Sequence, residues 1–158
     1  MKSPFALIAL LFFVLLAHAD ELTVKPALSS FLDAIKRGDA DFALNSVYQP
    51  SGAEQRTQAR VRMLAQRASS KGAVPEYVDA SIQATISIAI TKDVAKRPDG
   101  KPDFDAILLL KRDGKWLVVL GIAEVEDRAD VLTGDERKQL AQLRQWQEIR
   151  MRELSPSN

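Results

Sequence analysis

The 158 residues include no cysteine and a single histidine, and the phenol groups come from two tyrosines. Without cysteine there are no disulfides, no thiol nucleophile and no thiolate metal site, so stability must come from packing. The one imidazole, His18, lies in an opening segment that reads as removable. Once it is gone, Ser–His–Asp hydrolysis, histidine proton shuttling and the common zinc sites all lack their central group. No loop shows the alternating Asp and Asn of a calcium site. No nucleotide motif, internal repeat or low-complexity tract is present, and no cofactor or metal is expected. An all-carboxylate site for a hard cation is the only metal chemistry left open.

What is present begins with an export pattern. Met1-Lys2-Ser3-Pro4 carries one positive charge, and the run from Phe5 to Ala17 is 13 residues without a charged or polar side chain. A helix crossing the hydrocarbon core needs about 20. Ala17-His18-Ala19, followed by Asp20 and Glu21, supplies a small-residue cleavage site. Residues 1–19 are therefore expected to be a signal peptide cut after Ala19, with a periplasmic or secreted bacterial destination. The membrane would be met only in transit. Cleavage leaves 139 residues, enough for one domain with a core. Losing Lys2 takes the 22 Lys and Arg to 21, equal to the 21 Asp and Glu. That neutrality speaks against a nucleic-acid partner.

Helical signals come first. Pro26 suits a first turn, Leu28, Phe31, Leu32 and Ile35 recur at helical spacing, and Gly38 fits the position past the end. Asp39 caps a second short helix with Ala40, Ala43, Leu44 and Val47 on one side, ending at Pro50 and Gly52. Ser51 with Glu54 forms a capping-box pattern opening a third helix over about residues 52–70, whose apolar stripe is Val61, Leu64, Ala65 and Ala68. Arg56, Arg60, Arg67 and Lys71 fall within about 60° of one another on that helix. They form either a basic ridge for an anionic ligand or lipid headgroup, or an ordinary solvated face.

Strand signals follow. Val78, Ala80, Ile82, Ala84, Ile86, Ile88 and Ile90 alternate with Asp79, Ser81, Gln83, Thr85 and Ser87. Strict period two predicts β structure with one dry face and one wet or polar-lined face. Its length exceeds a usual strand, so it bends near Gln83 or divides in two. Arg97 to Pro102 is a turn-rich connector. Phe104 to Lys111 is apolar on both faces and central, Asp113-Gly114 predicts a tight hairpin, and Lys115 to Ile122 returns with Trp116. Thr133 with Glu136 is a second capping box, starting a C-terminal helix to about Glu153 with Leu140, Leu143, Trp146, Met151 and Leu154 as its apolar residues; residues 155–158 read as a loose tail. The expectation is an α+β domain over 20–132, with N-terminal helices segregated to one face of a curved antiparallel meander, and an added C-terminal helix over 133–154.

Two stretches carry a resemblance. Phe31-Leu32-Asp33-Ala34-Ile35-Lys36-Arg37-Gly38-Asp39 resembles the helix-then-Gly-Asp opening of the nuclear-transport-factor-two-like superfamily, which takes in SnoaL-like and cystatin-like α+β domains. Its small exported bacterial members of unknown function are most alike. Leu110 to Val118, with Asp113-Gly114-Lys115-Trp116 at its turn, resembles their final hairpin. The likeness covers roughly residues 25–122, and the helix after Ile122 departs from the pattern. It implies a cone of helices against a curved sheet that often encloses a pocket. Members include enzymes and non-enzymes, so the fold does not transmit a function.

Three functions compete. The first is a non-catalytic envelope domain binding a protein partner or a small apolar ligand in the sheet's concavity. The aliphatic face from Val78 to Ile90 would line the interior, unless it is simply core. The C-terminal helix, with Trp146, would be a contact surface for a partner or a second copy. The second is a proton-transfer enzyme of the kind resembling ketosteroid isomerase, which needs an Asp base and a Tyr hydrogen-bond donor. Tyr48 and Tyr77 are the only such donors. Asp33, Asp41, Asp79, Asp103 and Asp105 are the available bases, with Asp105 foremost because it shares a strand face with Ile107 and Leu109. The third is membrane-surface association through Arg56, Arg60 and Arg67 or the C-terminal helix, opposed by the interspersed acids. Intact-mass measurement on native envelope material is expected to show a chain beginning at Asp20; retention of residues 1–19 would overturn the export reading and return the imidazole.

Overall fold

The computed structural model describes residues 23–71, 74–93, 102–126 and 128–155. The expected leader, most of the Arg97–Pro102 connector and residues 156–158 lie outside them. Helix α1 covers residues 23–37. Val24, Leu28, Phe31, Leu32 and Ile35 are buried along it at helical spacing. It ends where Gly38 adopts φ +75°, with Gly38 N–H donating to Ile35 C=O and Asp39 N–H to Ala34 C=O. A side chain with Cβ is strained in that left-handed position, which explains the glycine.

Helix α2 (Ala40–Leu44) is capped as expected: Asp39 Oδ1 accepts from Phe42 N–H at 3.1 Å. It stops at Leu44, short of Pro50. Helix α3 (Glu54–Lys71) starts two residues later than the capping-box pattern implied, because Glu54 reaches back to Gly52 N–H (3.0 Å). The Ser51 C=O accepts from the Arg128 guanidinium.

Four antiparallel strands follow in the order β1 (Glu76–Gln83), β2 (Ile86–Lys92), β3 (Phe104–Arg112) and β4 (Lys115–Val119). The long alternating segment divides in two, with Gln83 opposite Ile86 across the Ala84-Thr85 turn. This register overturns the single dry face. Opposed residues share a face, and Gln83 and Ile86 have opposite parity, so even-numbered side chains change sides at the turn. Ala80 and Ile82 pack with α1 and α3, whereas Ile86 and Ile88 point into the other layer. Neither side of β2 is wet: Ser87 and Thr91 are fully buried, and Ser87 Oγ donates to Ser81 C=O. Asp113 (φ 50°) and Gly114 (φ 76°) make the predicted tight hairpin. β4 ends at Val119 rather than Ile122. Its outer edge meets Ser46–Tyr48, with Tyr48 N–H donating to Val118 C=O and Val118 N–H to Ser46 C=O.

Helices are not confined to one face. α1 to α3 cover Ala89, Leu109, Trp116 and Val118, while the opposite face packs on the final helices. These are α4 (Ala123–Glu126) and α5 (Gly134–Leu154). From them and their connection come Val125, Val131, Leu132, Leu140 and Leu143. The α5 helix, the added C-terminal element of the sequence expectation, is thus part of the core, and among the described residues no helix is long and apolar enough to cross a membrane.

Its start is fixed by Glu136, only 5% exposed. Thr133 and Glu136 complete the reciprocal capping box, with Glu136 N–H donating to Thr133 Oγ1 and Thr133 N–H to Glu136 Oε2. The same carboxylate receives both terminal nitrogens of Arg112 (2.7 and 3.1 Å) and the Thr85 hydroxyl (2.7 Å). Arg112 also donates to Lys111 and Val131 carbonyls and lies over the Tyr48 ring. Burial pushes the Glu136 carboxyl up, but the hydrogen bonds from Arg112, Thr133 and Thr85 outweigh it and hold the group below its ordinary range.

A carboxyl depressed in the folded state stabilises above its unfolded value and loses that contribution as pH falls through the folded one. Glu136→Gln is expected to cost about 2–4 kcal/mol in denaturant unfolding at neutral pH, since it leaves Arg112 short of its partner. The penalty should shrink on acidification below the glutamate range; a constant penalty there would refute the account. Ala84 sits at φ 48°. Ala84→Gly should add about 0.5–1 kcal/mol, seen as a melting temperature about 2–6 °C higher.

Candidate functional site

The β2–β3 ladder runs from Phe104 onward, but β4 pairs with β3 only as far as Leu108 opposite Val119. Lys111 N–H donates to Thr85 C=O, and Asp93 N–H donates to Asp103 C=O. Odd-numbered backbone groups of β3 therefore face β2. Ala106, of opposite parity, faces the side that β4 has left. Its N–H is taken by the neighbouring Asp105 carboxylate at 2.8 Å. Asp79 does the same for Ala80 N–H (2.9 Å) on the outer strand β1. Charged caps of this sort blunt exposed sheet edges.

Where β4 turns away at Leu120, Gly121 and Ile122, a cleft of about 480 Å³ opens at the end of the sheet. Phe31, Leu32, Ile35, Leu64, Ile107 and Val118 form its wall on the α1–α3 side. Ala106, Val119, Arg144 and Gln147 bound it toward α5, and Asp105 stands on its wall. The volume lies within the range of small-molecule sites, and the pairing of apolar walls with few polar groups is their usual composition. Arg144 is engaged by Glu126, through Nε at 3.0 Å and through a terminal nitrogen, and its other terminal nitrogen donates to Gln147 Oε1 (3.3 Å).

The predicted site residues are scattered around this geometry. Asp105 lines the cleft and is exposed. Tyr77 lies on the same sheet face, but Thr91 stands between them: Tyr77 is opposite Thr91, and Thr91 opposite Asp105. Two strand spacings, about 10 Å, thus separate the two backbones. Thr91 Oγ1 is buried and has no hydrogen-bond partner among the described residues. Lys25 lies over the Tyr77 ring. Tyr48 belongs to the opposite core layer beneath Arg112. Neither tyrosine borders the cleft, and among the described residues its lining brings no phenol to a buried carboxylate.

Of the other aspartates, Asp33, Asp41 and Asp103 are exposed, and Asp79 is bound by Arg150. Arg60 is half-buried and donates to Leu120 C=O at 3.2 Å, tying α3 to the end of β4. Arg56 and Arg67 are exposed on the same helix, and the Lys71 side chain lies outside the described residues. Trp146 is half-buried against the α5-side core and is not part of the cleft. No group of three metal-ligating side chains occurs among the described residues.

None of the side chains Val78 to Ile90 lines the cleft; Ala80, Ile82 and Ala89 belong to one core layer and Ile86 and Ile88 to the other. The sequence reading missed Arg144, Glu126 and Gln147. They sit in the charged stretches of α4 and α5, which give no local sign of a wall shared with β3.

No family model matches the chain, and no curated protein matches it. Among solved structures it is similar to an NTF2-like protein from Campylobacter jejuni that carries a provisional transpeptidase name, at 15% identity and TM-score 0.48, covering 63% of this chain and all of that one. An NTF2-like protein of unknown function from Shewanella oneidensis is 14% identical, with TM-score 0.42, covering 59% and 88%. A member of the NTF2-like family from Streptomyces avermitilis with a provisional dehydratase name is 11% identical, with TM-score 0.47, covering 68% and 99%. These likenesses concern chain path alone and say nothing about chemistry.

Proposed function

We propose that the mature chain is an exported, non-catalytic domain that holds a small apolar ligand in the cleft at the end of the sheet. The observation that carries this reading is the cleft's composition, about 480 Å³ walled by Phe31, Leu32, Ile35, Leu64, Ile107 and Val118. Both faces of the sheet are packed with aliphatic side chains, and this cleft opens beyond them at the sheet's end. Proton transfer is disfavoured on geometry. A general base must lie within hydrogen-bond reach of the proton it takes, beside a donor that stabilises the product, and Asp105 has no phenol next to it in the cleft.

Export rests on the leader pattern of residues 1–19.

The neutral fluorophore N-phenyl-1-naphthylamine, brightened by apolar surroundings, reports occupancy directly. It is expected to bind the mature domain, and Leu64→Trp, which fills the cleft from a half-buried position on α3, should weaken it about tenfold or more. Met63→Trp, at a neighbouring side chain that is 49% exposed and outside the cleft, is the control and should leave binding unchanged. Equal effects of the two substitutions would defeat the assignment.

A further inference from the structure

Building on that binding reading, we infer that the cleft selects apolar molecules bearing a single ammonium group, with Asp105 as the anchoring carboxylate. Two charged side chains stand on its wall, Asp105 and Arg144. Their states of compensation differ. Arg144 is neutralised by Glu126, through Nε at 3.0 Å and a second contact, and its remaining terminal nitrogen is turned to Gln147. Asp105 has a single partner, the uncharged Ala106 N–H at 2.8 Å, and no cation pairs with it among the described residues. A carboxylate offers about four lone-pair sites. One backbone bond leaves most of its accepting capacity open.

Among the described residues the cleft therefore presents one uncompensated negative charge beside an apolar wall. Ile107 shares the strand face of Asp105, with Phe31 and Leu64 across the cleft. An alkyl or aryl chain would bury against those three side chains while its head group meets the carboxylate. An ammonium gains a charge-assisted hydrogen bond there. A fatty acid would meet repulsion from Asp105 and find Arg144 already engaged. Because Asp105 is exposed, the discrimination is a matter of a few-fold and sensitive to salt.

The test displaces N-phenyl-1-naphthylamine from the mature domain with decylamine, decanol and decanoate at low salt, each below its micellar concentration. The three are unbranched ten-carbon amphiphiles with a cationic, a neutral and an anionic head group. Decylamine is expected to bind about three- to fivefold more tightly than decanol, and decanoate more weakly than both. Half-molar salt should erode the amine preference in the unmodified protein, a readout that needs no variant. Asp105→Asn keeps an oxygen for Ala106 N–H and should abolish the preference with decanol affinity unchanged. Glu126→Gln, which removes the charge that neutralises Arg144, should improve decanoate by a similar factor.

Equal affinities for amine and alcohol, a preference that survives in Asp105→Asn, or decanoate binding unmoved by Glu126→Gln would each overturn the head-group assignment while leaving the cleft reading in place. Absence of any probe binding would remove both.

Discussion

Glu136 is the carboxylate on which the arrangement of layers depends. It belongs to the first turn of α5, yet its partners come from the β1–β2 turn (Thr85), the end of β3 (Arg112) and its own cap (Thr133). A charge this buried is tolerable only because its lone pairs are met by a bidentate guanidinium and two further donors. The network fixes where α5 begins relative to the two sheet turns. Leu140 and Leu143 follow one and two turns later, directly over Ile86, Ile88, Leu108 and Leu110. Arg112 extends the node to Tyr48, next to the segment that closes the outer edge of β4.

Docking of α5 changes what the sheet is. A four-stranded antiparallel sheet with helices on one side needs polar residues on the other. Here β2 and the middle of β3 are buried on both faces, and the chain meets this with Ile86, Ile88 and Ile90 on one face of β2 and Ser87, Ala89 and Thr91 on the other. Small side chains on the α1–α3 side leave room for Phe31, Leu32 and Trp116. With both faces occupied, no concavity remains in the middle of the sheet. A cleft opens at the end, where β3 outruns β4.

That end combines two constraints. An unpaired strand edge must be protected, and Asp105 protects it by capping the Ala106 amide, as Asp79 caps Ala80 on the opposite edge. The two aspartates differ in surroundings. Asp79 is held by Arg150 from α5, whereas Asp105 faces a cleft and has no counter-ion among the described residues. The same backbone device thus yields a closed ion pair at one edge and an available carboxylate at the other. Arg60, drawn in to the Leu120 carbonyl, braces the loop that makes the cleft's rim.

Local chemistry was legible in the chain itself. Gly38 past α1, the Asp39 cap, the Thr133–Glu136 box, the Asp113-Gly114 hairpin and the helical stripes of α1, α3 and α5 all follow from contacts within a few residues, which periodicity and capping encode directly. So did the α+β class. The split of the alternating segment at Ala84-Thr85 was open in the sequence as one of two outcomes. Its consequence, that even-numbered side chains change faces, depends on a pairing register that composition does not carry. Which face α5 covers, that Glu136 meets Arg112, and that Asp105, Leu64 and Arg144 border one cleft are facts about residues 24 to 80 positions apart. They arise only when the strands are in register and the helices have docked, because long-range packing is set by the summed fit of both core layers and not by any local motif.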